Sequence, residues 1–350
     1  MAKKGHEVTV VTTSTRGAPS SETLDKIQII RFWSFRLPIF SSVRLIPFLP
    51  IRLALMNADI YHSHGYGSTQ PFFTAIASLL SRRPFVFTVH GYPKLKGLAA
   101  AFKWFYTNIP ARIFLRVASK IITVADATIP DIEREAAKDK ITTIPNGVDF
   151  EKFKQPNRLS SIDSSTITYI GRFDSYKGID TLIRAFATVK KKKPEAELVL
   201  IGRDEGISGS LRSLASELGV EIEFREASPS DMPAVYGNMS IVVLPSKYEG
   251  LSLVLLEAIA SERPMLSTPV GAAPRVFREV YGKEAQKFLF EVDNHYELAG
   301  KIINVLDNRK EFEKTCTLAR IELSKRYSWS SAAIETLKVY EEVLSKKKKK

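Results

Sequence analysis

Short runs of β-branched and apolar residues alternate with longer amphipathic stretches along most of the 350 residues. That alternation is the pattern of parallel α/β sheets. In the first half, residues 8–12, 27–31, 59–62, 85–90, 120–124 and 141–144 read as strands, with the clearest helices over 70–80 and 99–117. Pro145-Asn146-Gly147-Val148-Asp149 reads as a turn with Asn146 as a hinge residue, and the polar residues 155–165 as a linker. The alternation then restarts. Strands are expected at 166–170, 197–201, 221–224, 240–244 and 264–267, and closing helices at 293–306, 309–326 and 329–344. Two successive α/β units result, with boundaries expected at 1–155 and 156–327, and a final helix plus lysine tail at 328–350.

The chain opens Met1-Ala2-Lys3-Lys4-Gly5-His6-Glu7-Val8, which reads as the end of a helix leading into a strand. A doubly wound domain begins with a strand, a glycine-rich turn and a helix. The expectation is therefore a first domain without its opening β-α unit.

One stretch departs from simple patterning. From 253 to 260 every residue except Glu257 is apolar, so the helix is expected to be buried nearly all round. A glutamate in such a helix needs a partner, because a lone buried carboxylate is costly. Glu257 is therefore expected to face a cavity holding hydrogen-bond donors, with Glu249, in the Gly250 turn before the helix, facing the same cavity.

Composition changes the picture little until charge is considered. With 44% hydrophobic and 25% charged residues the chain reads as a soluble globular protein, long enough for two domains. The single cysteine, Cys316, excludes an internal disulfide, suits a reducing cytoplasmic setting and sits where a C-terminal helix is expected. No apolar run reaches the ~18 residues of a membrane span. The net charge of +13 has three sources. Residues 346–350 form a lysine tail, a solvated end or an electrostatic tether. Residues 190–193 complement a helix C-terminus before Pro194. The third source interleaves arginine with aromatics at 31–36, Arg44, Arg52 and 102–116. Those segments suit either an anionic membrane surface or core-facing helices with arginines on the wet side. Nothing resembles a nucleic-acid module.

Chemistry concentrates in two loops. Gly171-Arg172-Phe173-Asp174-Ser175-Tyr176-Lys177-Gly178 follows one strand and precedes a helix. Arginine and lysine beside a helix N-terminus suit an anionic group, although two solvated cations on a surface loop fit the same residues. The spacing is not that of a Walker A loop. In the second loop Gly250 permits close backbone approach, and the amides of Leu251, Ser252 and Leu253 open a helix whose dipole favours an anion. Facing each other, the two loops would clamp a diphosphate, with Glu257 accepting from ribose hydroxyls. His90 ends a strand where cleft residues occur in open α/β sheets, or is a satisfied structural histidine. His62 and His64 suggest a metal pair, but the expectation is that their rings point to opposite sides of the strand end, which argues against joint ligation. One of them is a candidate for lining an acceptor cleft.

The pattern G-R-x4-K-G, then D-T-L-I-R-A-F, L-V-L-I-G, L-P-S-x-Y-E-G-L-S-L-V-L-L-E-A and S-T-P-V-G, resembles glycosyltransferase family 4. G-H-E-V-T-V-V-T, F-T-V-H-G and I-P-N-G-V-D in the first half agree. The resemblance implies a GT-B fold, two Rossmann-like domains facing a cleft, and a retaining, metal-independent hexosyltransferase. It would move a sugar from a nucleoside-diphosphate sugar to a glycan or lipid-linked acceptor, with no cofactor and no nucleic acid partner. By the same resemblance Arg172 and Lys177 neutralise the departing diphosphate, Glu257 holds ribose, and Glu249 with the amides after it holds the donor sugar. His90 then lies near the donor, and Gly171 and Gly250 admit it. The expected lack of the opening unit is the more serious departure, since in the family its glycine-rich turn approaches the donor phosphates and the acceptor, and two further departures stand out. Gly271-Ala272-Ala273-Pro274-Arg275 replaces a second glycine and an acidic residue, and Phe224-Arg225-Glu226-Ala227 lacks a glycine near the base. The alternatives are a GT-B protein that binds nucleotide without transfer, and a sugar-nucleotide epimerase. A cytoplasmic protein, peripheral on the inner membrane face, is the expected setting.

Overall fold

The computed structural model describes residues 1–37, 40–66, 68–91, 107–133, 136–154 and 165–348. The expected linker 155–165 falls outside these except for Ser165, as do residues 99–106 of the expected helix 99–117, residues 102–106 of the basic aromatic segment and the last two lysines. The chain divides into two compact units, residues 1–144 with 333–350, and residues 145–332.

In the first unit β1 (Val8–Thr13) pairs in parallel with β3 (Ile27–Phe32), and β2 (Ser21–Leu24) pairs antiparallel on the far side of β3. A second antiparallel pair follows, β4 (Phe35–Leu37) with β5 (Phe40–Leu45). The basic aromatic run at 31–36 is thus strand and hairpin, not the helix expected as one of its readings. Trp33 stands 65% exposed there. The main sheet is parallel, ordered β6 (Tyr61–His64), β7 (Phe85–Val89), β8 (Lys120–Thr123), β9 (Ile141–Thr143). Every residue of β7 is buried, as parallel strands covered on both faces require. Phe85, Phe87 and Phe114 form its aromatic core, with Phe87 and Phe114 edge-to-face at 5.0 Å.

The second unit carries one five-stranded parallel sheet, ordered β12 (Glu223–Arg225), β11 (Glu197–Ile201), β10 (Thr166–Ile170), β13 (Ile241–Leu244), β14 (Met265–Ser267). The chain runs outward from β10 through β11 to β12, then crosses back to β13 on the other side of β10. The reversal makes the carboxyl ends of β10 and β13 the switch point, where open α/β sheets form their binding crevice. The helix Ile179–Lys192 follows β10, and the helix Leu253–Ala260 follows β13. The helix Trp329–Lys348 starts in the second unit, and its residues from Ala333 onward belong to the first. Among the described residues no helix is long and apolar enough to cross a membrane.

Candidate active site

The loops at the switch point are pinned together by backbone. Gly178 has φ +65°, and a Cβ there would lie 2.0 Å from the carbonyl oxygen of Pro245. Gly271, at φ +58°, would place a Cβ 2.4 Å from the Gly250 oxygen and 2.6 Å from that of Glu249. Only glycine tolerates both the left-handed backbone and such contact. The amide of Lys247 donates to the Tyr176 carbonyl at 2.8 Å, and that of Ala272 to Gly250 at 2.8 Å. The basic turn, the glutamate turn and the loop after β14 therefore form one surface.

On that surface Lys177 Nζ lies 2.6 Å from Glu249 Oε1, with the two side chains 14% and 18% exposed. Ser246 Oγ donates to the same carboxylate oxygen at 2.9 Å. Arg172 is exposed, its Nη2 donating to the Tyr176 hydroxyl at 2.7 Å. Tyr169 OH donates to the Arg172 carbonyl at 2.7 Å and fixes the turn from beneath. Gly171 leads into this turn with φ +149°. Of the expected clamp, Lys177 and Glu249 meet directly, and Arg172 stands at the rim. Ser252 precedes the helix Leu253–Ala260 in an extended conformation, without a side-chain cap. Leu251 is buried, so only its backbone is available to a ligand.

Glu257 behaves differently from Glu249. It lines a cavity of about 320 Å³ with Gly147, Asp149, Lys152, Met232, Leu253 and Trp329 among its walls. Glu249 is not part of that lining, so the expected single cavity for both carboxylates is corrected. Tyr236, fully buried, donates its hydroxyl to Glu257 Oε2 at 3.0 Å. Burial raises the Glu257 pKa, while the Tyr236 bond and the nearby Lys152 ammonium oppose the rise. Nor is the helix buried all round: Leu253 is 41% exposed and Val254 half-buried, because the first turn opens onto the cavity. Sequence reasoning missed Tyr236 and Lys152. A tyrosine in the mostly apolar Met232–Gly237 helix reads as core, and the one available signal was that Glu257 required a donor.

His90 belongs to the first unit, just beyond β7. The expectation that His62 and His64 point apart is overturned, since residues two apart share a strand face. The His62 and His64 rings stack with centroids 4.3 Å apart, and the His64 and His90 rings meet edge to edge, 5.3 Å between centroids and 20° between planes. Among the described residues no group of three or more His, Cys, Asp or Glu is placed to hold a metal.

Comparison with known proteins agrees with the fold and the motifs. The family model for glycosyl transferases group 1 matches residues 150–320, and that for glycosyltransferase family 4 matches residues 1–152. The MMP alpha-(1->4)-mannosyltransferase of Mycolicibacterium hassiacum is 28% identical over 70% of this chain, which spans 59% of that protein's length. An uncharacterised glycosyltransferase of Methanocaldococcus jannaschii is 24% identical over 97% of this chain and 90% of its own. In structure the chain is similar to sucrose-phosphate synthase from Thermosynechococcus elongatus, with TM-score 0.78 at 19% identity over 98% of this chain and 90% of the other. Anabaena HepE, crystallised with UDP-glucose, gives TM-score 0.74 at 18% identity over 97% and 99% of the two chains. The fold is GT-B, with two Rossmann-like α/β units, and the chain belongs to the family 4, group 1 type glycosyltransferases.

Proposed function

We propose that this chain is a retaining, metal-independent glycosyltransferase that takes a sugar from a nucleoside-diphosphate sugar. The observation carrying the reading is the Lys177–Glu249 pair at the switch point of the second unit, 2.6 Å apart on loops locked by Gly178 and Gly271. Lys177 and Arg172 would neutralise the diphosphate as the glycosidic bond to it breaks, and the first amides of the Leu253–Ala260 helix would receive its oxygens. With two protein cations there, the leaving group needs no metal for neutralisation. Glu249 would hold sugar hydroxyls and Glu257 the ribose, on opposite sides of that helix start. His90, in the F-T-V-H-G motif, is proposed as a further catalytic group. In the same-face step the acceptor oxygen bonds the anomeric carbon, the bond to phosphate breaks, and the phosphate oxygen takes the acceptor's proton. HepE binds UDP-glucose, which supports a donor of this class.

The acceptor reading is a glycan or lipid-linked acceptor at an anionic membrane surface. Of residues 26–125, thirteen are Lys or Arg and only Asp59 is acidic, so the positive charge belongs to the first unit. Phe48, Ile51 and Leu55 stand exposed beside Arg52, a mixture that suits adsorption to anionic lipid.

The test is transfer from a panel of UDP- and GDP-sugars to lipid-extract and oligosaccharide acceptors, with the product anomer read by NMR. The reading expects a product with the donor's anomeric configuration, formed in chelator, and its loss in Lys177→Ala and Glu257→Ala. An inverted product, abolition by chelator, or isomerisation of donor without acceptor would each overturn part of it.

A further inference from the structure

The face shared by β6 and β7 carries a cluster that the transfer chemistry has not used. His64 is in register with Thr88 across the two strands. The period of two then sets His62, His64, Thr88 and His90 on one face. His62 is held at both nitrogens: Nδ1 lies 2.5 Å from the Tyr340 hydroxyl and Nε2 lies 2.7 Å from Thr88 Oγ1. Tyr340 comes from the C-terminal helix and meets the His62 ring edge-on, 5.6 Å between centroids. The His64 ring lies on His62 at 4.3 Å, and its Nδ1 reaches His90 Nε2 at 3.1 Å.

A nitrogen-to-nitrogen contact of that length holds one proton. With both nitrogens protonated the two hydrogens would clash, and with neither the lone pairs would repel. Burial and mutual repulsion lower the pKa of His62 to about 3 and of His64 to about 4, and burial lowers that of His90, so all three rings are neutral near pH 7. A neutral ring has one N–H, so whichever partner holds the shared proton fixes the other's tautomer. His90 lies one residue beyond the end of β7, outside its ladder with β8. The shared proton on His64, itself held in its stack on His62, supplies a constraint on the His90 ring.

We propose that His64 is a positioning residue for His90: through one shared proton it locks the His90 ring in a single orientation and tautomer, on a platform anchored by His62 and Tyr340. His90 then presents one nitrogen of fixed character, donor or acceptor, outward from the strand end. The proposal rests on the reading of His90 as a donor-side group, and its physical content is separable from it.

The experiment is 15N-resolved NMR of the histidine side chains in the full-length protein at pH 7, together with steady-state kinetics using the donor found active. The wild type should show His64 and His90 each with one pyrrole-like and one bare nitrogen, and a through-bond coupling across the pair. His64→Phe keeps a stacked ring and removes the nitrogen. It should lose the locked His90 signature and lower kcat at least tenfold, with donor KM within twofold. His64→Asn restores a polar group near the Nδ1 position and should recover most of both. A fast-averaging His90 in the wild type, or an unchanged spectrum and rate in His64→Phe, would overturn the proposal. If His64→Phe does not fold, the His90 signal of His64→Asn decides. A locked pair in a protein that transfers no sugar would sustain this proposal while removing the functional reading.

Discussion

Neutralising the Lys177–Glu249 pair one side at a time, and then both together, separates its structural role from its chemical one. At 2.6 Å and an effective dielectric of ~20, the gross attraction is about 6 kcal/mol. Desolvating two ions cancels much of this, so a coupling of about 1–3 kcal/mol is what a double-mutant cycle should return. Lys177→Met leaves Glu249 charged and only 18% exposed, with Ser246 as its remaining donor. That variant should lose about 3 kcal/mol, the cost of an uncompensated, nearly buried charge. Glu249→Gln should lose less, because the amide oxygen still accepts from Lys177. The double variant, with neither charge present, should be less destabilised than the sum of the singles. Donor binding should not recover with stability, since the cation and the carboxylate are both gone. The assay is urea unfolding at pH 7 for the four proteins, with calorimetric titration of UDP and GDP. Additive destabilisation within 0.5 kcal/mol, the tolerance of independent sites, would refute the pairing, and recovered nucleotide binding in the double variant would refute its chemical role.

Three further outcomes follow from the geometry. Tyr236→Phe removes the hydroxyl that holds Glu257 Oε2; the Glu257 pKa should rise further and nucleotide affinity should fall roughly tenfold, about the 1.4 kcal/mol of a lost hydrogen bond to a charged group, read by titration calorimetry. Gly271→Ala meets both a φ of +58° and two carbonyl oxygens, and should cost more than about 1 kcal/mol in urea unfolding and abolish transfer; a variant with wild-type stability would contradict the close approach. The third outcome concerns pH. His62 falls to about 3 in the fold against ~6.5 unfolded, so below pH ~6.5 the unfolded chain binds more protons. The stability present above that pH is lost as pH falls towards the folded value, by at most about 1.4 kcal/mol per pH unit for this one residue. Urea midpoints between pH 7.5 and 4.5 should fall less steeply in His62→Gln than in the wild type.

Much of the second unit was legible because its central strands are buried and rich in β-branched and apolar residues; residues 166–170 and 197–201 are strands as expected, and β13 is apolar and buried throughout. Glu257 stood out for the complementary reason, a charge where burial left no room for one. The first unit was harder. Ser21-Glu22-Thr23-Leu24 forms the edge strand β2 with little apolar content, because half of its hydrogen bonding and most of its side chains face water. The hairpin of β4 and β5 carries arginines and aromatics that fit a helix face as readily as a strand. The histidine cluster was lost to a wrong assignment of faces, and its contact with Tyr340 joins positions 278 apart in the chain, which local patterning does not report. Tyr236 illustrates the remaining limit: packing shows that a tyrosine is buried, but only the fold shows which carboxylate its hydroxyl meets.

The central claim is that the second unit holds a nucleoside diphosphate between the Arg172/Lys177 turn and the Glu249–Glu257 helix start. Titration calorimetry of UDP and GDP into the wild type, Lys177→Ala and Glu257→Ala tests it without requiring the acceptor. The account predicts that at least one nucleotide binds the wild type stoichiometrically, and that each substitution weakens it at least tenfold. Binding of neither nucleotide, or equal affinity in all three proteins, would contradict it.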